Sequence, residues 1–460
     1  MSLHIVILAA GAGKRMHSSL PKVLHHVGGK PMLEHVLELA LGLKPEGIHI
    51  IIGHGGDKVR AAFPHVPVHW IHQQEQLGTG HALMQALPHI PETSLVLVLY
   101  GDVPLLPRDL LLSLITKGHS SLAQGSSLVL LLANLPDPTG LGRIIRDEQQ
   151  RIVGIVEEKD ASVEERLQKE IYSGICCVSA ACLNRWLPQL QPHNAQGEYY
   201  LTDIVKYAVV EGLHVGEQFV IDPLDICGVN DKVHLQHVER IWQSRVALEM
   251  MLQGVTLADS DRIDVRGELT VGKDVFIDFN TLFEGKVVIG AGSHIGPNCS
   301  LKNVTLGTNC DILAHCVLED CHVGDHCQIG PFARLRPGTH LEAGCKIGNF
   351  VETKNASFGR GCKANHLSYL GDVTMGEHVN IGAGTITCNY DGAYKHQTTI
   401  EDDVFVGSDT QLIAPVTVGK NATIAAGSTI RKNVPPNGLT LTEAKQKTIP
   451  GWVRPKKNQP

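Results

Sequence analysis

The sequence predicts an α/β domain followed by a parallel β-helix, and two patterns lead to this prediction. From about residue 255 to 434, aliphatic residues recur every six positions, a period typical of neither an amphipathic helix nor a single strand. Before residue 228, short apolar runs alternate with helical stretches, which is typical of a doubly wound, Rossmann-like sheet. A chain of 460 residues is too long for one hydrophobic core, so at least two domains are expected.

The N-terminal domain is predicted to span residues 1–228, with strands buried on both faces. Its predicted strands are 4–9, 48–52 and 95–99, and its predicted helices include 33–43 and 81–87. Residues 229–252 are predicted to be a linker helix. Its apolar residues, Val238, Ile241, Trp242, Val246 and Met250, fall at helical spacing.

The C-terminal domain is predicted to span residues 253–460 and to end in an irregular tail. In a parallel β-helix, three hexapeptides complete one triangular coil, and the aliphatic residue of each points inward. The clearest such positions are Val323, Ile329, Leu335, Leu341 and Ile347, then Ile400, Val406, Leu412, Val418, Ile424 and Ile430. The repeat is interrupted at residues 382–394. A loop that leaves a regular solenoid often carries function.

Composition limits the possible functions. The formal charge of −7 argues against a nucleic-acid-binding protein, and no apolar run is long enough to span a membrane. The twelve cysteines contain no CxxC pair, so they are expected to be reduced packing residues rather than zinc ligands. With no recognisable leader segment, a cytoplasmic location is expected.

A turn rich in small residues follows the first predicted strand. It reads Leu8-Ala9-Ala10-Gly11-Ala-Gly-Lys-Arg15-Met, and Pro-Lys22 comes shortly after. Small residues let backbone N–H groups approach an oxyanion, and the three cations add charge suited to phosphates. The turn lacks the Walker Lys-Ser/Thr pair and is a poor match to the dinucleotide-binding pattern. A simple tight turn is the alternative interpretation.

Two further loops strengthen the phosphate interpretation. Residues 73–82 form a polar loop with two glycines that opens a predicted helix, and Tyr100-Gly101-Asp102 ends the third predicted strand. Ligands of open α/β sheets bind beyond the carboxyl ends of the strands. Asp102 at such an end can bind Mg²⁺, although a helix cap or a turn would also use an aspartate.

The solenoid carries polar residues where stacking alone needs none. Arg336 and Lys354 are 18 residues apart, one full coil, so they are expected to lie one above the other. Two stacked cations repel, and a bound phosphate would remove the conflict, whereas a solvated basic edge is the alternative. His366 lies before the interruption, and a histidine side chain can act as the general base that acyl transfer to an amine needs. Glu352 is a candidate to orient it.

Together these motifs resemble a known family. Leu-Ala-Ala-Gly-x-Gly-x-Arg-Met, Pro-Lys, Leu-Gly-Thr-Gly-His-Ala and Tyr-Gly-Asp are similar to the motifs of sugar-1-phosphate nucleotidyltransferases. Joined to a left-handed hexapeptide β-helix, they resemble the bifunctional bacterial N-acetylglucosamine-1-phosphate uridyltransferases/glucosamine-1-phosphate acetyltransferases over essentially the whole chain. The resemblance implies synthesis of UDP-N-acetylglucosamine, which in that family feeds peptidoglycan and lipopolysaccharide synthesis.

For the N-terminal site, the resemblance implies contacts to UTP, to the sugar and to Mg²⁺. Arg15 and Lys22 would act catalytically by neutralising phosphate charge. Asp102 and Asn230 would bind Mg²⁺. The other implied contacts are Leu8, Ala9, Ala10, Gly11, Gln73, Gly78, Thr79, Tyr100 and Gly101 on the nucleotide side, and Gly142, Glu157 and Tyr172 on the sugar side. Tyr172 is a departure, because the family usually has Asn there.

For the C-terminal site, the resemblance implies that His366 deprotonates the amine of glucosamine-1-phosphate, which then attacks acetyl-CoA. Arg336 and Lys354 would bind the sugar phosphate, with Tyr369 and Asn380 on the sugar. Acetyl-CoA would contact Ala383, Asn389, Tyr390, Ser408, Ala426 and position 443. Glu443 departs from the usual Arg, so Arg431, Lys445 or Lys447 would have to serve the CoA phosphates instead. The family also implies a homotrimer with this site between subunits.

Two alternatives remain at this stage. The first is a nucleotidyltransferase with one activity, whose solenoid only oligomerises or regulates. His366, the Asn389-Tyr390 pair and the stacked cations argue against it. The second is a non-catalytic assembly subunit, which the presence of Lys22 and Asp102 disfavours.

Overall fold

The computed structural model describes residues 2–123, 128–443 and 445–455. It divides into two compact units, Met1–Trp242 and Gln243–Pro460. The boundary between the units falls inside the helix Lys232–Leu252, the segment predicted as a linker helix. None of the helices in the described parts of the chain is both long enough and apolar enough to cross a membrane.

The N-terminal unit is an α/β structure. Its strands are β1 Leu3–Ala9, β2 His26–Val27, β3 Lys30–Pro31, β4 Gly47–Ile52, β5 His69–His72, β6 Leu95–Tyr100, β7 Leu128–Asn134, β8 Gly142–Arg146, β9 Ile152–Val156, β10 Glu170–Ser179 and β11 Val215–Phe219. Its helices are α1 Met32–Gly42, α2 Gly56–Ala62, α3 Thr79–Ala86, α4 Arg108–Ala123, α5 Ala180–Trp186 and α6 Ile204–Val210, and α7 Lys232–Leu252 continues into the second unit. The strands predicted near residues 4, 48 and 95 are confirmed.

The main sheet has the order β11-β7-β10-β6-β1-β4-β5, with β8 and β9 attached through β10. β1, β4, β5 and β6 are parallel, as predicted, but β10 is antiparallel to both of its neighbours. An apolar run does not encode strand direction, so the sequence pattern did not reveal this reversal. Alternate residues of β1 enter different cores: Val6 and Leu8 lie in one, and Ile5 and Ile7 in the other. The sheet is therefore buried on both faces.

The C-terminal unit is a parallel β-helix. Its strands are β12 Thr256–Leu257, β13 Ile263–Val271, β14 Phe276–Ile277, β15 Thr281–Ile289, β16 His294–Ile295, β17 Ser300–Leu306, β18 Asp311–Ile312, β19 Val317–Val323, β20 Gln328–Ile329, β21 Arg334–Leu335, β22 His340–Leu341, β23 Lys346–Asn349, β24 Glu352–Phe358, β25 Lys363–His366, β26 Tyr369–Met375, β27 Asn380–Ile381, β28 Ile386–Cys388, β29 Thr398–Ile400, β30 Phe405–Val406, β31 Gln411–Ile413, β32 Val416–Val418, β33 Thr423–Ile424, β34 Thr429–Ile430 and β35 Leu439–Thr440. They form one sheet of 11 strands and one of 13.

The register fixes the length of a coil. Asp311 pairs with Gln328, and Gln328 pairs with Lys346, so successive coils repeat after 17 or 18 residues. The predicted inward residues are buried, among them Leu335, Leu412 and Ile424, each with no exposed surface. The six-residue repeat therefore correctly predicted which side chains point into the solenoid and stack on one another.

The interruption is shorter than predicted. Strand β28, Ile386–Cys388, still pairs with the next coil, so the extruded loop covers only residues 389–397. Thr387 occupies the inward position of this strand and is fully buried, and its hydroxyl bonds the backbone of Gly371. A polar residue in the aliphatic position concealed the repeat at this point.

The cysteines of the solenoid pack inside it, as predicted. Cys310, Cys345 and Cys362 are almost fully buried, and each thiol donates to a backbone carbonyl of the next coil at 3.0–3.2 Å. A small thiol satisfied in this way costs little to bury.

Candidate functional sites

The carboxyl ends of four neighbouring strands form the first candidate site. β6, β1, β4 and β5 lie side by side and all run in the same direction. Their ends therefore bring three predicted segments to one edge of the sheet: Leu8–Gly11 after β1, Tyr100–Asp102 after β6 and the loop from Gln73 after β5. This is the edge at which open α/β sheets bind ligands.

Glycines allow these segments to approach one another. Gly13 has a φ of +57°, and a Cβ there would lie 2.9 Å from the Cβ of Lys22. At Gly101 a Cβ would lie 3.3 Å from the Cβ of Ala9. The turn after β1 thus packs closely against both the Lys22 segment and the end of β6. A cleft of about 210 Å³ opens beside it, lined by Ala12, Gly13, Lys14, Arg15, Lys22 and Asn230.

The predicted metal ligands lie near the same cleft. Lys22 forms an ion pair with Asp102, and both side chains are largely shielded from solvent. The backbone N–H of Val229 donates to the carbonyl of Asp102 at 3.0 Å, which places Asn230 next to this segment. No group of three or more His, Cys, Asp or Glu side chains suited to a metal occurs among the described residues. Any cation held by Asp102 and Asn230 would therefore take its other ligands from substrate or water.

The loop after β5 is fixed by backbone contacts. Gly78 has a φ of +110°, and a Cβ there would lie 2.7 Å from the carbonyl oxygen of Tyr199. Thr79 accepts a hydrogen bond on its hydroxyl from the backbone N–H of Leu201 at 3.1 Å. Gln73 is only 2% exposed, although it is a polar residue on a loop. The predicted nucleotide-side residues Gln73, Gly78 and Thr79 thus lie in a loop that packs against the Tyr199–Leu201 segment or is buried.

The predicted sugar-side residues lie around β8 and β10. Tyr172 pairs in register with Gly142, so these two lie on adjacent strands. Its hydroxyl donates to the carbonyl of Gly174 at 2.6 Å, and its ring is buried in the core. A direct contact between Tyr172 and a sugar stays a prediction, because the hydroxyl already has a partner. Glu157 accepts from the Thr202 hydroxyl at 3.1 Å, and burial raises the pKa of its carboxyl.

The second candidate site lies on the solenoid. Arg334 pairs with Glu352, and the backbone N–H of Arg336 donates to Thr353, so Arg336 and Lys354 lie in successive coils at equivalent positions. Arg336 also forms an ion pair with Glu352 at 2.7 Å. Glu352, expected as an orienting partner of His366, is thus paired with Arg336.

A third cation, which the sequence reasoning missed, completes this cluster. The extruded loop folds back on itself through a bridge between Tyr390 and Lys395. The pKa of the Lys354 ammonium is lowered, first by the adjacent Lys395 and to a lesser degree by Arg336. The cationic cluster, defined as Arg336, Lys354 and Lys395, therefore carries positive charges that repel one another. The sequence could have indicated this residue, because Lys395 is a basic residue in the segment that interrupts the repeat.

Polar side chains next to the cationic cluster are connected by hydrogen bonds. The amide nitrogen of Asn389 donates to Asp372 at 2.5 Å and lies 3.5 Å from the Tyr369 hydroxyl. Asp372 also accepts from Asn355 at 2.7 Å. Since its amide nitrogen is occupied, Asn389 has its amide oxygen left for a ligand. Tyr390 is 60% exposed at the start of the loop.

His366 has a partner that fixes its tautomer. Its Nδ1 lies 2.9 Å from the amide oxygen of Asn349, one coil below. An amide oxygen only accepts, so Nδ1 carries the proton and Nε2 of the neutral ring is left as the base. A cleft of about 220 Å³ adjoins both residues. Asn349 was not predicted as a partner of His366. Its position 17 residues earlier, one coil away, could have indicated this contact.

Three residues predicted to line the acetyl-CoA site stack above His366 at one corner of the solenoid. The N–H of Gly384 bonds the carbonyl of His366, that of Asp409 bonds Ala383, and that of Gly427 bonds Ser408. His366, Ala383, Ser408 and Ala426 thus occupy one position in four successive coils, and we call this the corner column. Coils stack at about 4.8 Å, so the column extends roughly 15 Å from the histidine.

Two predicted residues lie apart from the cationic cluster, although one of them, Asn380, is on the strand next to that of His366. Asn380 is on β27 in the 11-stranded sheet, whereas Lys354 and Tyr369 lie in the 13-stranded sheet. The solenoid of one chain therefore does not gather all the predicted sugar contacts on one face. Glu443 is exposed beyond the last strand, and Arg431 is exposed after β34. A contact between position 443 and CoA stays a prediction.

Comparison with known proteins gives matches to both units. Residues 5–129 match the model of the MobA-like NTP transferase domain, and residues 320–355 and 397–432 match that of the bacterial transferase hexapeptide. A protein of Legionella pneumophila strain Lens is 60% identical over 459 residues, covering 100% of both chains. Proteins of Marinobacter nauticus and Stenotrophomonas maltophilia are 52% and 50% identical, covering 99% of each chain. All three relatives are named bifunctional protein GlmU.

Proposed function

Because the chain belongs to the GlmU family of bifunctional proteins, we propose that its two reactions take place at the two candidate sites, one in each unit. The enzyme makes UDP-N-acetylglucosamine. The hexapeptide domain transfers an acetyl group from acetyl-CoA to glucosamine-1-phosphate. The nucleotidyltransferase domain then transfers a uridylyl group from UTP to N-acetylglucosamine-1-phosphate and releases pyrophosphate.

The observation that best supports the site assignment is the cationic cluster. Three cations lie together on the solenoid, and two carboxylates are close to them: Glu352, which is paired with Arg336, and Asp372, which is hydrogen-bonded to Asn355 and Asn389. A solenoid that served only assembly would gain nothing from this repulsion, whereas a sugar phosphate bound there would relieve it. The cluster therefore favours a catalytic solenoid over the alternative of a nucleotidyltransferase with one activity.

In the N-terminal site, the reaction is an in-line attack by a sugar-phosphate oxygen on the α-phosphorus of UTP, with pyrophosphate as the leaving group. The attacking phosphate is already anionic, so positioning and charge neutralisation matter more than a base. Lys22 and Arg15 line the cleft beside the glycine turn and would neutralise the phosphates. Gln73 and the backbone around Gly78 would hold the uracil.

Asp102 and Asn230 are our proposed ligands for Mg²⁺. A carboxylate and an amide oxygen are donors that this cation prefers, and the bond between Val229 and Asp102 brings the two residues close. When bound, the cation would neutralise charge on the triphosphate. Lys22, now paired with Asp102, would remain available to the phosphates.

In the C-terminal site, Nε2 of His366 would take a proton from the amine of glucosamine-1-phosphate. The amine nitrogen then bonds to the thioester carbonyl carbon, the carbon–sulfur bond breaks, and CoA leaves as the thiol after protonation. The hydrogen bond to the amide oxygen of Asn349 would keep Nδ1 protonated and leave Nε2 as the base. The cationic cluster would hold the phosphate, with Tyr369 near the sugar.

The corner column is our proposed path for the pantetheine arm. Ala383, Ser408 and Ala426 are small residues in successive coils directly above His366, and they leave a narrow lane along the corner. A ligand lying in this lane would present its thioester at the histidine end of the column. Asn389 and Tyr390 would flank the acetyl group.

We further propose that the enzyme is a homotrimer in the cytoplasm, where its nucleotide and CoA substrates occur. An exposed apolar ladder runs along the solenoid: the Phe332 and Phe350 rings stack at 5.3 Å, and Leu367 in the next coil is 61% exposed. Burial of such a ladder against a second copy would be favourable. A second copy could also supply the contacts that one chain separates, such as Asn380. Sedimentation equilibrium showing a fully active monomer would contradict this assembly.

The acetyl-transfer assignment is tested by His366→Asn, with His378→Asn as the matched control. His378 is exposed and has a φ of +56°, which Asn tolerates well. We expect His366→Asn to lower CoA release from acetyl-CoA and glucosamine-1-phosphate by about 10²–10⁴-fold, as for loss of a general base. The control variant should retain that activity, and both should retain pyrophosphate release from UTP. Full CoA release by His366→Asn would refute the assignment.

A further inference from the structure

Gln73 is a buried polar residue held in one place by its backbone. Its N–H donates to the carbonyl of Ile52 at 2.8 Å, and its carbonyl accepts from the side chain of Gln76 at 3.1 Å. Only 2% of the residue is exposed. Its side chain therefore has little freedom, and the orientation of its amide decides what it offers to a ligand.

Two neighbours determine that orientation. The amide nitrogen of Gln73 lies 3.3 Å from the carbonyl oxygen of Gly78 and 3.0 Å from Nδ1 of His81. A carbonyl oxygen only accepts, so the group facing Gly78 must be the NH₂. The second N–H then points to His81, which requires Nδ1 to be an acceptor and places the ring proton on Nε2.

His81 is itself well anchored. It lies in the first turn of α3, where the N–H of Gly80 donates to the carbonyl of Tyr199 at 2.8 Å. The amide nitrogen of Gln85, one turn further along, donates to the backbone carbonyl of His81 at 3.2 Å. It also lies 3.3 Å from Nε2, but with the ring proton on Nε2 both groups are donors, so this contact is not a hydrogen bond. The backbone of His81 is thus fixed in α3, and its Nδ1 faces the amide of Gln73.

With both N–H groups occupied, Gln73 can offer only its amide oxygen, Oε1. None of the hydrogen bonds within the described part of the chain uses this atom. Uracil carries an N–H donor at N3, whereas cytosine carries a lone pair there and an amino group at C4. A fixed acceptor at this position therefore matches uracil and repels the ring nitrogen of cytosine.

We propose that His81 is a positioning residue that makes the N-terminal site select uridine over cytidine nucleotides by locking the amide of Gln73. The inference rests on the proposed function, in which Gln73 faces the uracil. Loss of the acceptor at His81 would let the amide rotate and present either its oxygen or its NH₂ to the base.

The test compares His81→Asn with His81→Leu in the full-length enzyme. The two side chains have nearly the same shape, but only Asn can place an acceptor where Nδ1 stands. Pyrophosphate release is measured with UTP and with CTP. We expect His81→Asn to keep most of the preference for UTP. We expect His81→Leu to reduce the UTP-to-CTP ratio of kcat/KM by about tenfold or more, mainly through KM of the nucleotide, since one such bond is worth about 1.4 kcal/mol or more.

Equal ratios for wild type and His81→Leu, or an equal loss in both variants, would overturn the inference. CoA release and the melting temperature of each preparation report on folding. His81→Ala offers the same comparison without added bulk should the Leu variant be unstable. A wild-type enzyme that releases no pyrophosphate from UTP would instead refute the proposed function, so the two failures are distinguishable.

Discussion

The two candidate sites are built in different ways. In the N-terminal unit, most site residues come from loops after three of the parallel strands, and glycines with unusual backbone conformations allow these loops to meet. In the solenoid, the register of successive coils places Arg336 directly below Lys354, and Lys395 of the extruded loop adds the third cation. A site assembled from loops needs many local adjustments, whereas one assembled by register needs only the correct period.

The electrostatics of the two sites differ as well. Lys22 in the N-terminal cleft is already paired with Asp102. In the cationic cluster, Glu352 is bound to Arg336, and the neighbouring Lys395 lowers the pKa of the Lys354 ammonium. Both sites carry excess positive charge, because Lys14 and Arg15 also line the N-terminal cleft, but in the solenoid two lysine side chains repel each other at close range. The following predictions test this contrast.

The largest loss of activity is expected from a substitution in the ion pair between Lys22 and Asp102. Asp102→Asn removes the carboxylate that pairs with Lys22 and that we propose as a Mg²⁺ ligand. Pyrophosphate release should fall by roughly 10³-fold, because loss of such a charge costs several kcal/mol in the transition state. Asp109→Asn, at an exposed position in the first turn of α4, is the control and should change little. Equal activity of the two variants would remove Asp102 from the site.

The next effect is expected in the cationic cluster. Lys395→Ala removes one charge-assisted contact to the phosphate, so KM for glucosamine-1-phosphate should rise by about 10–100-fold. The variant should also depend less on ionic strength than the wild type. Lys286→Ala, an exposed lysine in an early coil, is the matched control. An unchanged KM for Lys395→Ala would show that the extruded loop does not hold the phosphate.

A smaller effect is expected in the corner column. Ala426→Leu places a bulky side chain in the proposed pantetheine lane at an exposed position, where it should not disturb the core. KM for acetyl-CoA should rise by about tenfold, the cost of one well-placed steric conflict. Ala291→Leu, at an exposed position in an earlier coil, should leave KM unchanged. If Ala426→Leu also loses pyrophosphate release, the substitution disturbs the whole protein, and the rise in KM for acetyl-CoA does not come from the pantetheine lane.

The smallest effect is a pH dependence of the free energy of unfolding, and we expect it in the N-terminal unit alone. Burial, followed by the nearby His4, His69 and His89, lowers the pKa of His49 from 6.5 to about 4. Between these values the unfolded chain binds a proton that the folded chain excludes, so stability is present above pH 6.5 and falls as pH drops toward 4. The loss amounts to roughly 3 kcal/mol at most.

Scanning calorimetry at several pH values checks this prediction. The transition of the N-terminal unit should move to lower temperature between pH 6.5 and 4, and His49→Asn should reduce that movement. Burial is also the main cause that lowers the pKa of His4, whose Nδ1 lies 3.1 Å from Nε2 of His49, so His4 contributes to the same effect. An identical pH dependence in wild type and variant would exclude His49 as the cause.

Much of the solenoid follows from the sequence, because its structure repeats. The six-residue period gave the stacking of Leu335, Leu412 and Ile424, and it placed Arg336 below Lys354. It failed at Thr387, where a buried hydroxyl replaces the aliphatic residue by bonding the backbone of Gly371. The period also says nothing of how an extruded loop folds, and Lys395 was missed for that reason.

The N-terminal site follows from the sequence only in outline. Strand ends gave the positions of Asp102 and Gln73, since parallel neighbours end on one edge. The partners of these side chains depend on contacts between distant segments, such as Lys22 with Asp102. The direction of β10 was not predictable either, because an apolar run does not encode whether a strand is parallel or antiparallel to its neighbours.

The central claim is that the two units carry independent reactions, and Lys22→Ala tests it most directly. Both activities are measured on the full-length variant: pyrophosphate release from UTP and N-acetylglucosamine-1-phosphate, and CoA release from acetyl-CoA and glucosamine-1-phosphate. We expect the first to be abolished, because Lys22 lines the N-terminal cleft, and the second to equal that of the wild type. Loss of both activities, or retention of both, would contradict the account.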